Sequence, residues 1–136
     1  MPVEELKKVI ELTWFTTWME DGICRTVVKS NAVIELHHAQ ENTDTVVTLS
    51  NNSQPPILVD IRKIKSINKE ARDHFAMRDR KPRVCAIAML INSPLSKVVG
   101  NFYLAINQPS VPTKLFNSED KAIEWLKQFV GNKERL

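Results

Sequence analysis

The stretch ILVDIRKIKSINKEARDHF, residues 57–75, sets the fold class of this protein. It opens with ILVDI, an almost continuous apolar run of the kind that forms a strand covered on both faces of a sheet. After several basic residues, Asn68 can cap a helix in which Ile67, Ala71 and Phe75 recur every four residues. A buried strand followed by a helix is the repeating unit of α/β domains, so the flanking sequence should alternate in the same way.

The residues before this stretch predict a hairpin and a helix. VEELKKVIEL, residues 3–12, fits either a short amphipathic helix or an early strand. TWFTTWM and ICRTVVK read as two antiparallel strands, because Asp21-Gly22 between them supplies the positive φ angles of a tight turn. Residues 36–49 predict a helix whose apolar face carries Leu36, Ala39, Val46 and Val47.

The residues after it predict two more strand-helix pairs. VCAIAMLI, residues 84–91, reads as the central strand, with Cys85 buried inside it. Ser93-Pro94 is a good helix start, and Gly100 within that helix indicates close approach to a neighbouring element. The apolar positions of this helix are Leu95, Val98, Val99, Phe102 and Ile106. TKLF then forms a short strand, and Ser118 caps a last helix that turns inward Ala122, Ile123, Leu126, Phe129 and Val130.

The resulting order is β-β-α-β-α-β-α-β-α, which predicts an α/β fold with a mostly parallel mixed sheet and an N-terminal antiparallel hairpin. A chain of 136 residues fits a single domain over residues 1–136. Two cysteines, Cys24 and Cys85, lie in apolar stretches without CxxC spacing, which indicates free thiols in a reducing compartment. The longest apolar run has eight residues against the roughly 20 of a membrane-spanning helix. We therefore expect a cytoplasmic protein without membrane insertion.

The net charge of +3 is unevenly distributed. Residues 62–83 contain nine Lys/Arg and three Asp/Glu, a local charge of +6, whereas residues 1–61 contain four and nine, a charge of −5. Such a basic segment is either a binding surface for acidic groups or a solvated helix and loop. Nucleic-acid binding is not expected, because the segment lacks interleaved exposed aromatic residues.

The order of elements and the stretch PILVDIRKIKSINKEAR resemble a STAS-type domain, the fold of anti-sigma factor antagonists and of the cytoplasmic tails of sulfate transporters. The stretches INSPLSKVVGNFYLAIN and PTKLFNSEDKAIEWL extend the resemblance to small stand-alone bacterial STAS-like proteins that have no assigned activity. The resemblance implies a protein partner and a regulatory role without a cofactor.

The departure from the antagonist motif lies at the start of the second helix. In antagonists this helix opens with aspartate-serine-serine-glycine, and the partner kinase phosphorylates one of the serines. Here Asn68 takes the aspartate position, Lys69 and Glu70 take those of the serines, and Ala71 that of the glycine. The resemblance thus implies a module without the usual phosphoacceptor, Ser66 being the nearest hydroxyl. The predicted partner-binding or anion-binding residues are Arg62, Lys63, Lys65, Ser66, Asn68, Lys69 and Arg72.

Other candidate chemistry in the sequence is sparse. His37 and His38 are adjacent, so they point about 100° apart on a helix and are not expected to share a metal. No GxSxG, GxxxxGK or HExxH motif occurs, and we expect neither catalysis nor a metal site. Trp14 and Trp18 could contact a ligand or a second copy in a homodimer, or belong to the core.

Two functional hypotheses follow. The first is a non-catalytic interaction module that meets a protein partner through residues 62–72. The alternative is a small-molecule or lipid-binding protein with a pocket between the helices and the sheet, near Trp14 and Trp18. A pocket of several hundred Å³ would favour the ligand, and a filled interior the interaction module.

Overall fold

The computed structural model describes residues 8–131 and shows a six-stranded sheet with helices on both faces. The strands are β1 Val9–Glu11, β2 Phe15–Glu20, β3 Ile23–Val28, β4 Val33–Ile34, β5 Pro56–Asp60, β6 Ser66–Ile67, β7 Ala86–Leu90 and β8 Thr113–Phe116. The helices are α1 Leu36–Ser50, α2 Lys69–Ala76, α3 Pro94–Phe102 and α4 Glu119–Lys127, with a π-helical segment Tyr103–Asn107 after α3. None of the described helices is long and apolar enough to cross a bilayer.

The predicted α/β fold is confirmed. The main sheet has the order β1-β2-β3-β5-β7-β8, in which β1, β2 and β3 are antiparallel and the pairs from β3 onward are parallel. The hairpin turn forms as predicted, with φ of 55° at Asp21 and 79° at Gly22. A Cβ atom at Gly22 would also lie 2.8 Å from Cγ1 of Val130, so this position requires glycine for space as well as for conformation.

A buried polar cluster joins the hairpin to α1. Thr17 and Thr26 are directly opposite in the β2–β3 register, and their Oγ1 atoms lie 3.1 Å apart. Nδ2 of Asn42 donates to Oγ1 of Thr17 at 3.1 Å. All three residues are at most 4% exposed, and their mutual hydrogen bonds offset the desolvation of their polar groups. The sequence did not predict this cluster, since Thr and Asn are ordinary surface residues.

The two strands that define the family resemblance lie side by side, with Ile57 opposite Ile87 and Asp60 opposite Leu90. The prediction that residues 84–91 form the central strand was wrong in part. β7 is interior and buried along its whole length, but only β8 separates it from the edge of the sheet. Cys85 precedes β7 and is half-buried rather than inside the strand, whereas burial raises the pKa of the Cys24 thiol to about 12.

The buried faces of α1 and α4 agree only in part with the prediction. In α1 the buried residues are Ala39, Asn42, Thr45, Val46 and Ser50. Leu36 was wrongly assigned to this face, because it lies at the exposed start of the helix. In α4, Ala122 and Leu126 are buried as predicted, but the helix ends at Lys127 and Val130 is 39% exposed.

Two features, one near the chain start and one between β5 and α2, complete the fold. The expected element over residues 3–12 is a strand at Val9–Glu11, and residues 3–7 lie outside the described residues. The strands β4 and β6 form a separate two-stranded parallel sheet that the sequence did not predict. Because β6 belongs to residues 62–72, this small sheet anchors the loop between β5 and α2.

Candidate interaction surface

The segment between β5 and the first turn of α2, residues 62–72, is hereafter the junction. Its first basic residue is already paired, since Nε and Nη2 of Arg62 donate to the two carboxylate oxygens of Asp60 at 3.0 and 2.7 Å. These hydrogen bonds raise the pKa of Arg62. Oγ of Ser93 donates to the carbonyl oxygen of Arg62 at 3.4 Å, which links the junction to the start of α3. Arg62 therefore holds the junction in place more than it offers a free charge.

Lys63 and Lys65 are the free cations of the junction. Both side chains are exposed, while Ile64 between them is 5% exposed and packs in the core. The backbone here is fixed, because the amides of Lys65 and Ser66 both donate to the carbonyl of Ala32. No ion pair or hydrogen bond of either ammonium group is found among the described residues.

The start of α2 is capped by its own side chain. Oδ1 of Asn68 accepts from the amide of Ala71 at 2.9 Å, so one of the free amides that could bind an anion is already occupied. Lys69 forms a 2.7 Å ion pair with Asp73, which raises the pKa of Lys69 and lowers that of Asp73. Ser66 is exposed in β6. The start of α2 thus offers few unpaired donors to an anion, and the anion site stays a prediction.

Arg72 reaches from α2 to the end of α3. Its Nη1 donates to the carbonyl of Ile67 at 2.7 Å, and its Nε donates to Oδ1 of Asn107 at 3.1 Å. The guanidinium carbon lies 4.7 Å from the centre of the Phe102 ring, within cation–π range. Arg72 is therefore a structural link between α2 and the end of α3.

α3 exposes the apolar side chains that a helix normally buries. The stripe is made by four large residues, Leu95 at 45%, Val98 at 63%, Phe102 at 44% and Ile106 at 62% exposure. We call these four residues the α3 stripe. The face turned to the sheet carries instead Ser96, Gly100, Tyr103 and Asn107.

The reason for this orientation is lack of space beneath the helix. A Cβ atom at Gly100 would lie 3.1 Å from Cδ2 of Leu115 and 3.5 Å from Cγ2 of Ile91, so only glycine fits without displacement. Ser96 is fully buried because its hydroxyl accepts from the amides of Asn92 and Ser93. The close approach predicted at Gly100 is confirmed. The helical period of the stripe is visible in the sequence, but periodicity predicts a helix and not which face of it is exposed.

The α3 stripe and the junction form one continuous surface. The Ser93–Arg62 contact joins them at the start of α3, and the Arg72–Phe102 contact joins them at its end. Lys97, which is also exposed, adds a further cation beside the stripe. The surface therefore has an apolar centre with a basic border.

The two tryptophans predicted as ligand or dimer contacts are half-buried and separate. Trp14 lies before β2, packs against the larger core cluster and makes an edge contact with His38 at 6.4 Å between ring centres. Trp18 lies within β2, and its Nε1 donates to Oε1 of Glu20 at 3.0 Å. The structure does not bring them together in one pocket.

The histidines are closer to metal geometry than the sequence indicated. Glu35, His37 and His38 have ligand atoms within 4.8 Å of one another, so the expectation that adjacent histidines diverge was wrong. However, Nδ1 of His38 accepts from the amide of Glu35 at 3.0 Å, and the group lies at the start of α1, where the helix dipole disfavours a cation. The expectation of no metal stays a prediction.

His74 does not form a catalytic pair with a hydroxyl. Its Nε2 lies 2.8 Å from Oγ1 of Thr43, and its Nδ1 lies 2.8 Å from Nη2 of Arg80. A guanidinium can only donate hydrogen bonds, so Nδ1 of His74 is the acceptor and Nε2 carries the proton. Nε2 therefore donates a hydrogen bond to Oγ1 of Thr43. The imidazole therefore cannot remove a proton from Thr43. Burial, and then the charge of Arg80, lower the pKa of His74.

A cavity of about 100 Å³ lies between the sheet and the helices. Its walls come from one face of the sheet and from α1, α2, the junction and α3, and include Phe15, Val46, Ile57, Phe75, Met89 and Val99. Neither Trp14 nor Trp18 lines it. It is smaller than the several hundred Å³ of usual small-molecule sites.

The sequence matches the model of a protein family. Residues 17–130 match the model of a family described as a domain of unknown function, DUF7793. The chain belongs to this family. No curated protein matches the DUF7793 chain significantly.

Solved structures with TM-scores above 0.5 share the fold of this DUF7793 protein. A protein of the DUF3478 family with a SpoIIAA-like fold from Shewanella loihica PV-4 is 13% identical, with a TM-score of 0.56, covering 88% of this chain and 91% of that one. An anti-sigma factor antagonist from Mycobacterium paratuberculosis is 12% identical, with a TM-score of 0.55, covering 89% and 92%. A protein of unknown function from Arthrobacter sp. FB24 is 32% identical over 80% of this chain and 95% of that one, with a TM-score of 0.32. The first two similarities confirm the resemblance to the antagonist fold.

Proposed function

We propose that this protein is a non-catalytic interaction module that binds a protein partner through the α3 stripe and the junction. The observation that carries the proposal is the exposure of four large apolar side chains on α3 and the π-helical segment that continues it, two of them above 60%. Contiguous exposed apolar surface with a polar border is typical of protein-protein contact sites.

The charges of the border indicate the chemistry of the partner. Lys97 is exposed on α3 next to Val98, and Lys63 and Lys65 are exposed in the junction, so the partner should present an apolar centre with acidic side chains around it. A second copy of this chain fits less well, because a two-fold contact would place the same basic residues opposite each other. The fold of the antagonist supports a regulatory role for such a module.

Phosphorylation at the usual position has no part in the proposal. Lys69 and Glu70 replace the serines, and Asn68 uses its side chain as a cap. We place the module in the cytoplasm, since both cysteines are free thiols. A metabolite-sized or lipid-sized pocket has less support, because the cavity is about 100 Å³ and neither Trp14 nor Trp18 lines it.

The test introduces a photo-crosslinking amino acid at Val98 and, as the matched control, at Leu36, which is an exposed apolar residue at the start of another helix. We expect the Val98 position to capture a partner that mass spectrometry identifies and the Leu36 position not to. With the purified partner, Val98→Glu should weaken Kd by roughly 30-fold, a typical loss at the centre of an interface, and Leu36→Glu by less than about twofold.

The border is tested separately. Lys63→Glu with Lys65→Glu should mainly slow association and reduce its dependence on salt. Arg72 is unsuitable for charge reversal, because it holds α2 to the end of α3. Equal binding by wild type and Val98→Glu would refute the proposed surface. A wild-type dimer in light scattering that Val98→Glu dissociates would assign the stripe to a second copy instead.

A further inference from the structure

The cavity described above is lined almost entirely by carbon. Most of its lining residues are aliphatic or aromatic, and they come from the buried face of the sheet and the inner faces of α1, α2 and α3. At the junction end, the wall is formed by the half-buried residues Ile67, Arg72 and Val99. The α3 stripe does not line the cavity, but it adjoins the cavity wall: Val99 neighbours Leu95 and Phe102 on the helix surface, and Arg72 contacts Phe102.

The polar side chains of the wall are already bonded to other parts of the protein. The hydroxyl of Tyr103 donates to the carbonyl of Phe75 at 2.8 Å, and burial raises its pKa. Thr26 and Asn42 are bonded to Thr17, as described above. The remaining polar members each have a protein partner as well: Thr43 with His74, Arg72 with Ile67 and Asn107, and Arg83 with Asn52.

This arrangement decides what the cavity can hold. Water needs two to four polar partners to occupy a buried site, and the polar groups of this wall are engaged elsewhere. An ionised or strongly polar ligand would lose its hydration without finding new hydrogen bonds. Apolar cavities of about 150 Å³ in other proteins stay dry and bind benzene or xenon. We infer that this cavity is a binding site for one small, uncharged, apolar molecule, no larger than a single benzene ring.

The experiment titrates wild-type protein with benzene and with phenol and follows the methyl NMR signals of the lining residues. Benzene should cause saturable shifts at Val46, Ile57 and Val99, which line the cavity. Phenol should bind at least about tenfold more weakly, because its hydroxyl would be buried without a free acceptor.

A matched pair of variants assigns the binding to the cavity. Val46→Phe fills part of the space, whereas Val47→Phe places the same side chain one residue later in α1, at a position that does not line the cavity. We expect Val46→Phe to weaken benzene binding at least about tenfold, because the larger side chain occupies volume that benzene needs and the surrounding close-packed interior cannot yield more. Val47→Phe should leave the affinity for benzene within about twofold. If Val46→Phe fails to fold, Val28→Ile, which adds one methylene to the wall, should weaken binding in the same direction.

Three results would overturn the inference. Wild-type protein without saturable benzene shifts would show that the space is not a ligand site. Benzene binding unchanged by Val46→Phe, or by Val28→Ile where the first variant does not fold, would place the ligand elsewhere. Equal affinity for phenol and benzene would refute the apolar class of ligand.

Discussion

The helices α3 and α4 have similar starts and opposite orientations. Ser93 and Ser118 each accept a hydrogen bond from an amide of the first turn, as N-capping residues do. α4 then buries its apolar residues, with Ala122 and Leu126 fully inaccessible. α3 exposes its apolar stripe and buries small or polar residues. Capping and periodicity fix where a helix lies in the sequence, but the space beneath it decides which face is buried.

The largest expected effect comes from truncating one apolar side chain to alanine in each of the two helices. Leu126→Ala in α4 removes a fully buried side chain and should lower the free energy of unfolding by about 3 kcal/mol. Val98→Ala in α3 removes a side chain that is 63% exposed and should change it by less than about 0.5 kcal/mol. Urea unfolding monitored by circular dichroism measures both. A large loss for Val98→Ala would show that the stripe belongs to the core.

A second effect concerns the space beneath α3. Gly100→Val should destabilise the protein by about 2 kcal/mol, because the added carbons would meet Leu115 and Ile91 in a packed interior. Asn101→Val is the control, since it makes the same residue at the next, exposed position. Its effect on the urea midpoint should be a few tenths of a kcal/mol. Similar values for the two variants would mean that α3 can move away from the sheet at little cost.

The smallest effect is a loss of amide protection at low pH, which we expect in α3 but not in α4. His74 lies in α2, whose Phe75 carbonyl accepts from Tyr103 at the end of α3. Burial and Arg80 lower the pKa of His74 below its ordinary value of 6.5, with Asp44 and Asp79 acting in the opposite direction. The unfolded chain therefore binds the proton first, so stability is complete above about pH 6.5 and falls as the pH drops from there toward the folded pKa.

Hydrogen exchange measured at pH 7 and pH 5 tests this response. After correction for intrinsic rates, amides of residues 94–107 should lose more protection at pH 5 than those of residues 119–127. His74→Gln, which cannot titrate, should remove the difference. An equal loss in both helices, or a difference that persists in His74→Gln, would contradict the role of this imidazole.

The contrast between α3 and α4 also shows how much the sequence could predict. Five strands of the main sheet, β2, β3, β5, β7 and β8, were predicted, as were the hairpin turn and the caps Asn68, Ser93 and Ser118, because these depend on neighbouring residues. The orientation of α3 was not, because it depends on Leu115 and Ile91, which lie elsewhere in the chain.

The junction illustrates the same limit for a candidate site. Its position and its basic residues were predicted, but charge counting could not show which cations are available. The guanidinium of Arg62 donates to Asp60, two residues earlier, and that of Arg72 donates to Asn107, 35 residues later. The exposed Lys63 and Lys65 remain. A pocket between the helices and the sheet was one hypothesis, but its lining could not be predicted, because a cavity results from how side chains distant in sequence fill or fail to fill a shared volume.

The polar cluster of Thr17, Thr26 and Asn42 has a consequence for how the chain reaches its native pairing. If the hairpin shifted by one residue, every side chain of β2 would change face. Thr17 would then leave the interior, and the Asn42 amide would be trapped in hydrocarbon without its acceptor. Packing of α1 should thus stabilise the native register of the two strands relative to registers shifted by one residue.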